Sequence, residues 1–122
     1  MSYLSADDLL AISDAEDVRE EYDIAGLGKV ALCGLSLETV YEAREAARET
    51  GEWDGARWET LLLQHGILEP RLTYDQARKL RRKGANVIQP IIEAVLRLSG
   101  LTSTGEMSAE AVDAAEASFR NG

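Results

Sequence analysis

The segment from Asn86 to Gly100 constrains the fold more than any other part of the chain. Its large aliphatic side chains are too numerous for one narrow helical stripe. They are Val87, Ile88, Ile91, Ile92, Val95, Leu96 and Leu98. A helix that is apolar around so much of its circumference belongs in a core, because a solvated face would expose part of that surface. The pattern therefore predicts one central helix with the rest of the chain packed around it.

The ends of this central helix carry their own signals. Asn86 is the expected N-cap, and Pro90 falls in or just past the first turn, where a missing N–H costs little. Gly100 suits the left-handed residue that closes a helix, with Leu101 folding back on Leu96. The sequence thus gives both bounds of the helix.

Four further helices are predicted upstream, each from a cap and an apolar spacing. Their candidate N-caps are Ser5, Ser36, Asp54 and Thr73. The helix after Ser36 is expected to turn Leu37, Val40 and Tyr41 inward, with Ala47 as a further candidate for the same face. Gly66 suits a left-handed residue at the end of the third helix. Pro70 then rules out continuous helix and predicts a short extended linker before Thr73.

Residues 19–34 predict a β-hairpin. Tyr22 and Ile24 alternate with charged residues, Gly26 and Gly28 supply a turn, and the apolar run 29–35 follows. We expect residues 19–25 to pair with 28–34. A lone hairpin is marginal in water, so it must pack on helices, and its free edge is open to a partner strand.

The predicted fold class is therefore mainly α with a small β-hairpin (α+β), a compact bundle of about five helices. A chain of 122 residues has the usual size of one domain. We place this domain at residues 1–101. The stretch 102–122, rich in alanine and glutamate, is expected to be a weakly docked or helical tail.

Charge is unevenly distributed along the chain. The net charge of −9 disfavours non-specific contact with nucleic acid or anionic lipid. Residues 1–24 carry eight acids and one base, a net of −7, whereas residues 71–83 carry six bases and one acid, a net of +5. Because complementary patches steer association, contact between these two regions of different copies is one route to self-association.

The sequence shows no arrangement typical of an active site, so we expect no enzyme, cofactor or metal. No spacing motif joins His65, the single histidine, to Cys33. A histidine at a helix end more often interacts with the negative pole of that helix. Cys33 has no partner for an internal disulfide, which fits a reducing compartment. No apolar run approaches the roughly 20 residues of a membrane span.

The basic helix 78–83 raises the possibility of a small nucleic-acid-binding regulator. Together with the helix that follows, it has the order of a helix-turn-helix. However, the second helix, which would enter the DNA groove, is almost wholly apolar. DNA binding is therefore not favoured, and a solvated basic face is the plainer interpretation.

A pattern of short motifs runs through residues 61–101. An apolar helix end continues into a linker that reads Gly66-Ile67-Leu68-Glu69-Pro70-Arg71-Leu72-Thr73, and a later apolar helix closes on Leu98-Ser99-Gly100-Leu101. Upstream, a strand ends in Gly34-Leu35-Ser36 before a charged helix. In this order and spacing, over residues 3–101, the motifs resemble the tail assembly chaperones of long-tailed bacteriophages and prophages. The very basic helix 78–83 departs from the family's usual pattern.

The resemblance implies a non-enzymatic protein made in the host bacterial cytoplasm during virion assembly. Such chaperones bind the long, helical tail tape measure protein, keep it soluble and help to recruit tail tube subunits. They are absent from the mature virion. Many are made in two lengths by a ribosomal frameshift, and this chain would correspond to the shorter form. The other function considered is a structural or connector protein of the virion that forms oligomers.

A chaperone for an apolar helix needs an apolar strip or groove that its own fold does not fill. The candidate partner-binding residues lie on the first helix, the linker and the basic helix. They are Leu9, Leu10 and Ile12; Ile67, Leu68 and Leu72; and Arg78, Arg81 and Arg82. For the apolar sets, ordinary packing inside the chain is the alternative.

Overall fold

The structure is a computed structural model, and it describes residues 3–109. This part of the chain forms five α-helices and one three-stranded antiparallel sheet. The helices are α1 (Ala6–Leu10), α2 (Leu37–Ala47), α3 (Gly55–Gly66), α4 (Tyr74–Leu80) and α5 (Ala85–Ser99). The strands are β1 (Arg19–Ile24), β2 (Gly28–Cys33) and β3 (Ile67–Glu69). The predicted α+β class, with about five helices and a hairpin within residues 19–34, is confirmed.

The helix α5 is central, as its width of apolar surface predicts. Its buried residues are Ile88, Ile91, Ile92, Ala94, Val95 and Leu96. It packs against α3 and against the sheet. Its C-terminus has the expected form, since Gly100 is left-handed with a φ of 70° and the Leu101 N–H donates to the Leu96 carbonyl at 2.9 Å. Its start differs from the prediction, because Gly84 is the N-cap and Pro90 lies inside the helix.

The helix α3 brings Trp58, Leu62 and Leu63 into the core. Gly66 is the last residue of this helix and does not take the left-handed conformation predicted for it. A Cβ at Gly66 would lie only 2.5 Å from both methyl carbons of Val95. Glycine is needed here because α3 and α5 approach each other closely, so the prediction identified the right residue for the wrong reason.

The helix α2 packs on α3 through small side chains. Val40, Ala43 and Ala47 are buried, whereas Leu37 and Tyr41 are exposed. The predicted inward face is therefore confirmed at Val40 and Ala47 and wrong at Leu37 and Tyr41. The two alanines allow a close contact between the helices, which turns the larger side chains at 37 and 41 to the outside.

The sheet has the order β1-β2-β3. The hairpin pairs Arg19 with Cys33 at one end and Ile24 with Gly28 at the other, close to the predicted register. The strand β3, expected only as an extended linker, pairs antiparallel with β2. Three residues are too few to show a strand periodicity. Because β3 covers one edge of β2, the outer edge of the sheet on the hairpin side belongs to β1.

Residues 102–109, the first part of the predicted tail, make contacts with the rest of the fold. The indole Nε1 of Trp58 donates to the Ser103 carbonyl at 2.8 Å, and Gly105 is buried against the same ring. Leu101 and Met107 form an antiparallel bridge. The remainder of the predicted tail, 110–122, lies outside the described residues. Between residues 3 and 109, no helix combines the length and hydropathy that a membrane span requires.

Candidate functional site: an apolar groove

An apolar groove of about 730 Å³ opens between the hairpin turn, the linker after β3, α4 and the start of α5. Its floor is buried and its walls are partly exposed. The floor consists of Ile67, Ile88 and Ile91, and the walls include Ile24, Val30, Leu72, Leu80 and Val87. Cavities of this size are typical of sites that bind a ligand or a few side chains of a partner.

Local hydrogen bonds hold the α4 wall of the groove in place. The Thr73 hydroxyl accepts the Gln76 N–H at 3.2 Å, while the Gln76 side-chain oxygen accepts the Thr73 N–H at 2.9 Å. This capping box fixes the first turn of α4. Ala77 is fully buried, and its small side chain lets α4 lie against α3. Leu80, one turn further on, then lines the groove.

The hairpin turn forms the opposite wall. Gly26 has a φ of 79°, which only glycine adopts easily, so the chain can reverse between Ile24 and Gly28. Leu27 at the tip of this turn is 83% exposed and lines the groove. The turn thus leaves a large apolar side chain beside the opening, where it remains free to contact a bound molecule.

The rim of the groove is positively charged. Lys79 and Lys83 line it, together with the amide side chain of Gln76. Lys79 lies 3.2 Å from Asp75, whereas Lys83 forms no ion pair within the described part of the chain. Hydrogen bonds from Arg78 and Lys79 hold the pKa of the Asp75 carboxyl below its usual value, so this acid stays ionised beside the bases.

The three basic residues predicted to bind a partner differ in their contacts. Arg78 lies 2.8 Å from Asp75, and Arg81 makes a half-buried pair with Glu59, also at 2.8 Å. Arg81 is therefore engaged in holding α4 to α3 rather than presented to a partner. Arg82 is exposed and forms no ion pair with any residue in 3–109.

The three apolar candidates on the linker, Ile67, Leu68 and Leu72, differ in how far they are buried. Ile67 is 2% exposed and Leu68 is 8% exposed. Neither residue therefore forms part of the open apolar strip for which it was a candidate. Both are strand residues of β3, and the sheet and helices bury them; Ile67 remains in reach only as part of the groove floor. Leu72 is half-buried in the groove wall.

The first helix is a separate surface. Leu9, Leu10 and Ile12 are 54%, 84% and 68% exposed, and α1 has no buried residue. None of the three lines the groove of its own chain. The described part of the chain therefore presents two separate apolar surfaces, the groove and α1.

A smaller polar notch of about 260 Å³ lies at the other end of the hairpin. In it, Arg71 makes a 2.8 Å ion pair with Glu16. Burial and then the charge of Arg71 lower the pKa of His65, and together they outweigh the opposing charge of Glu42.

The buried thiol of Cys33 shares this region with His65. It donates to the His65 backbone carbonyl at 3.5 Å and not to the imidazole. Burial raises the pKa of the Cys33 thiol, which disfavours the thiolate that a nucleophile or metal ligand requires. Within residues 3–109, no cluster of three His, Cys, Asp or Glu residues could hold a metal ion.

Comparisons with protein-family models, with curated proteins and with solved structures find no match to this chain.

The sequence alone did not identify most of the groove walls. Ile24, Val30, Leu80 and Val87 come from four elements, and only the packing of these elements brings them together. One signal was present in the sequence. Val87 belongs to the broad apolar surface of α5, and it is half-buried against the core while also lining the groove.

Proposed function

We propose that this protein is a tail assembly chaperone of a long-tailed bacteriophage or prophage. It binds an apolar helical segment of the tail tape measure protein and assists assembly of the tail tube. It acts in the host bacterial cytoplasm and is absent from the mature virion. The resemblance of residues 61–101 to that family motivates the proposal, and the apolar groove is the observation that supports it most.

The groove suits an amphipathic helix as its ligand. A helix laid in an apolar groove recognises its site through side chains spaced by three or four residues. Each large aliphatic side chain that is fully buried contributes about 1.5–3 kcal/mol. The lysines at 79 and 83 favour a segment with acidic residues beside its apolar stripe. A tape measure protein shielded in this way would expose less apolar surface during assembly.

Co-expression tests this proposal. The tape measure protein from the same genome should become more soluble when this chain is present, and the two should co-purify. Leu80→Asp, which introduces a charge into the groove wall, should abolish both effects. Leu37→Asp is the matched control, because Leu37 is 86% exposed and lies outside the groove. If the wild-type chain neither co-purifies with the tape measure protein nor changes its solubility, the proposal is wrong.

The second candidate is a virion structural or connector protein that forms oligomers. It is favoured by the separation of an acidic, apolar N-terminal segment from a basic, apolar groove, which are complementary surfaces of the kind that join copies. Mass spectrometry of purified particles separates the two candidates. A chaperone is absent from mature particles, whereas a structural protein is present in a fixed copy number.

A further inference from the structure

We propose that the groove of one copy binds the N-terminal segment, residues 3–14, of a second copy. This segment contains α1, and the described chain leaves its apolar side chains uncovered. Tyr3, Leu4, Leu9, Leu10 and Ile12 are all exposed. Such a cluster marks an interaction site, because soluble proteins seldom leave several large apolar side chains together in water.

The segment has a defined shape without being buried. The Ser5 hydroxyl accepts the Asp8 N–H at 3.1 Å, and the Asp8 carboxylate accepts the Ser5 N–H at 2.9 Å. This capping box holds the short helix through local bonds alone. Less conformational freedom is then lost on docking than for a segment that must first fold.

Charge favours the basic rim as the docking site. Residues 3–14 contain three acids, Asp7, Asp8 and Asp14, and no base. None of these acids forms an ion pair within residues 3–109. Lys83 lies on the rim of the groove, and Arg82 precedes it in the sequence. Neither of these bases forms an ion pair within residues 3–109.

The acids that follow the segment behave differently. Glu16, Glu20 and Glu21 are paired inside the chain, with Arg71, Arg97 and Lys29 respectively. Asp17 and Asp23 form no ion pair within residues 3–109, so the fold pairs three of the five acids at positions 15–24 and none of the three acids in residues 3–14. That division is expected if the acids of residues 3–14 meet their bases on another molecule.

A second copy is favoured over the same chain because of where the segment leaves the fold. Asp14 and Glu16 line the notch beside Gly34, at the end of the hairpin where Arg19 pairs with Cys33. The groove is walled by the opposite end, where Ile24 pairs with Gly28. A six-residue strand separates the two ends by roughly 20 Å.

The proposed contact joins two different surfaces, so it is heterologous. It closes into a dimer if each copy inserts its segment into the other, and otherwise it extends into longer assemblies. One segment of twelve residues covers little area, which predicts weak, concentration-dependent association. A client helix bound in the groove would compete with the neighbour's α1 for the same site.

One variant of the N-terminal segment and two variants of the groove test the proposal by sedimentation or light scattering without any tape measure protein. Leu9→Ser with Leu10→Ser removes the docking side chains, and both positions are exposed, so the fold is preserved. Leu80→Asp blocks the groove, and Lys83→Glu reverses its exposed rim charge with no change in the core. Leu37→Ser is the control outside both surfaces.

The wild-type chain should self-associate, and each docking variant alone should associate at least about tenfold more weakly. Mixing the double serine variant with a groove variant should restore a one-to-one complex, because the mixture still contains one intact segment and one intact groove.

A wild-type chain that stays monomeric up to millimolar concentration overturns the proposal, and so does a mixture that stays monomeric. Equal weakening by Leu37→Ser places the contact elsewhere. None of these results depends on client binding, so they are separable from the co-expression test.

Discussion

The helices α1 and α5 both carry large aliphatic side chains but use them in opposite ways. The helix α5 buries six residues and has no side-chain hydrogen bond at its N-cap. The helix α1 buries none and is held by a complete capping box. The core buries one face of α5, whereas within residues 3–109 α1 is held by its local hydrogen bonds, and a helix of five residues is marginal in water on such bonds alone. The comparison shows that an apolar helix in this chain is not necessarily part of its core.

The largest expected difference between these helices is in the cost of shortening an aliphatic side chain. Ile92→Ala in α5 should lower the free energy of unfolding by about 2–5 kcal/mol, because it opens a cavity among buried neighbours. Leu10→Ala in α1 should change it by less than about 0.5 kcal/mol. Urea denaturation of dilute samples measures both. A comparable loss at Leu10 would show that α1 is part of the core.

The next largest change in the free energy of unfolding is expected at Gly66, where α3 approaches α5 closely. Gly66→Ala places a methyl group against Val95 and should cost about 1–3 kcal/mol. Adding Val95→Ala makes room for that methyl group, so the double variant should lose less than the sum of the single losses. Strictly additive losses in denaturation would contradict steric contact as the reason for glycine at this position.

The two capping boxes give a smaller and more selective effect. Thr73→Ala should cost about 1 kcal/mol, because α4 unfolds only together with the core that it contacts. Ser5→Ala removes the same pair of bonds from α1 but should leave the global free energy of unfolding almost unchanged. Amide exchange of residues 6–10 should instead become faster. Equal global losses would contradict the independence of α1.

The smallest expected effect is the pH dependence contributed by His65. Its pKa in the folded chain lies below the ordinary value of 6.5, so the unfolded chain binds the proton more readily. Stability should therefore decline as pH falls from about 7 to about 5. His65→Gln should remove part of this slope, as followed by thermal unfolding across that range. A steeper decline in the variant would contradict the lowered pKa.

The sequence correctly predicted the structural features that depend on interactions between residues close together in the chain. The caps at Ser5, Ser36, Asp54 and Thr73 and the left-handed Gly100 all appear where their residue types predict them. The breadth of apolar surface also identified α5 as the central helix. Each of these features depends on residues close together in the chain, which is why pattern and spacing are sufficient.

The features that the sequence missed depend on packing between distant residues. The burial of Leu68, the pairing of β3 with β2 and the outward position of Leu37 are decided by neighbouring elements. The groove is missed for the same reason, since its walls come from the hairpin, the linker, α4 and α5. For Leu9, Leu10 and Ile12 the sequence left exposure and internal packing as alternatives, and the structure exposes all three.

Site-specific photocrosslinking from position 80 tests most directly whether the groove is a docking site for apolar segments. A photoreactive phenylalanine analogue there lies in the groove wall, and the same analogue at position 37 is the control. We expect crosslinks from position 80 to residues 3–14 of another copy, replaced by crosslinks to the tape measure protein when both are co-expressed. Crosslinking from position 80 that is no more selective than crosslinking from position 37 would contradict this expectation.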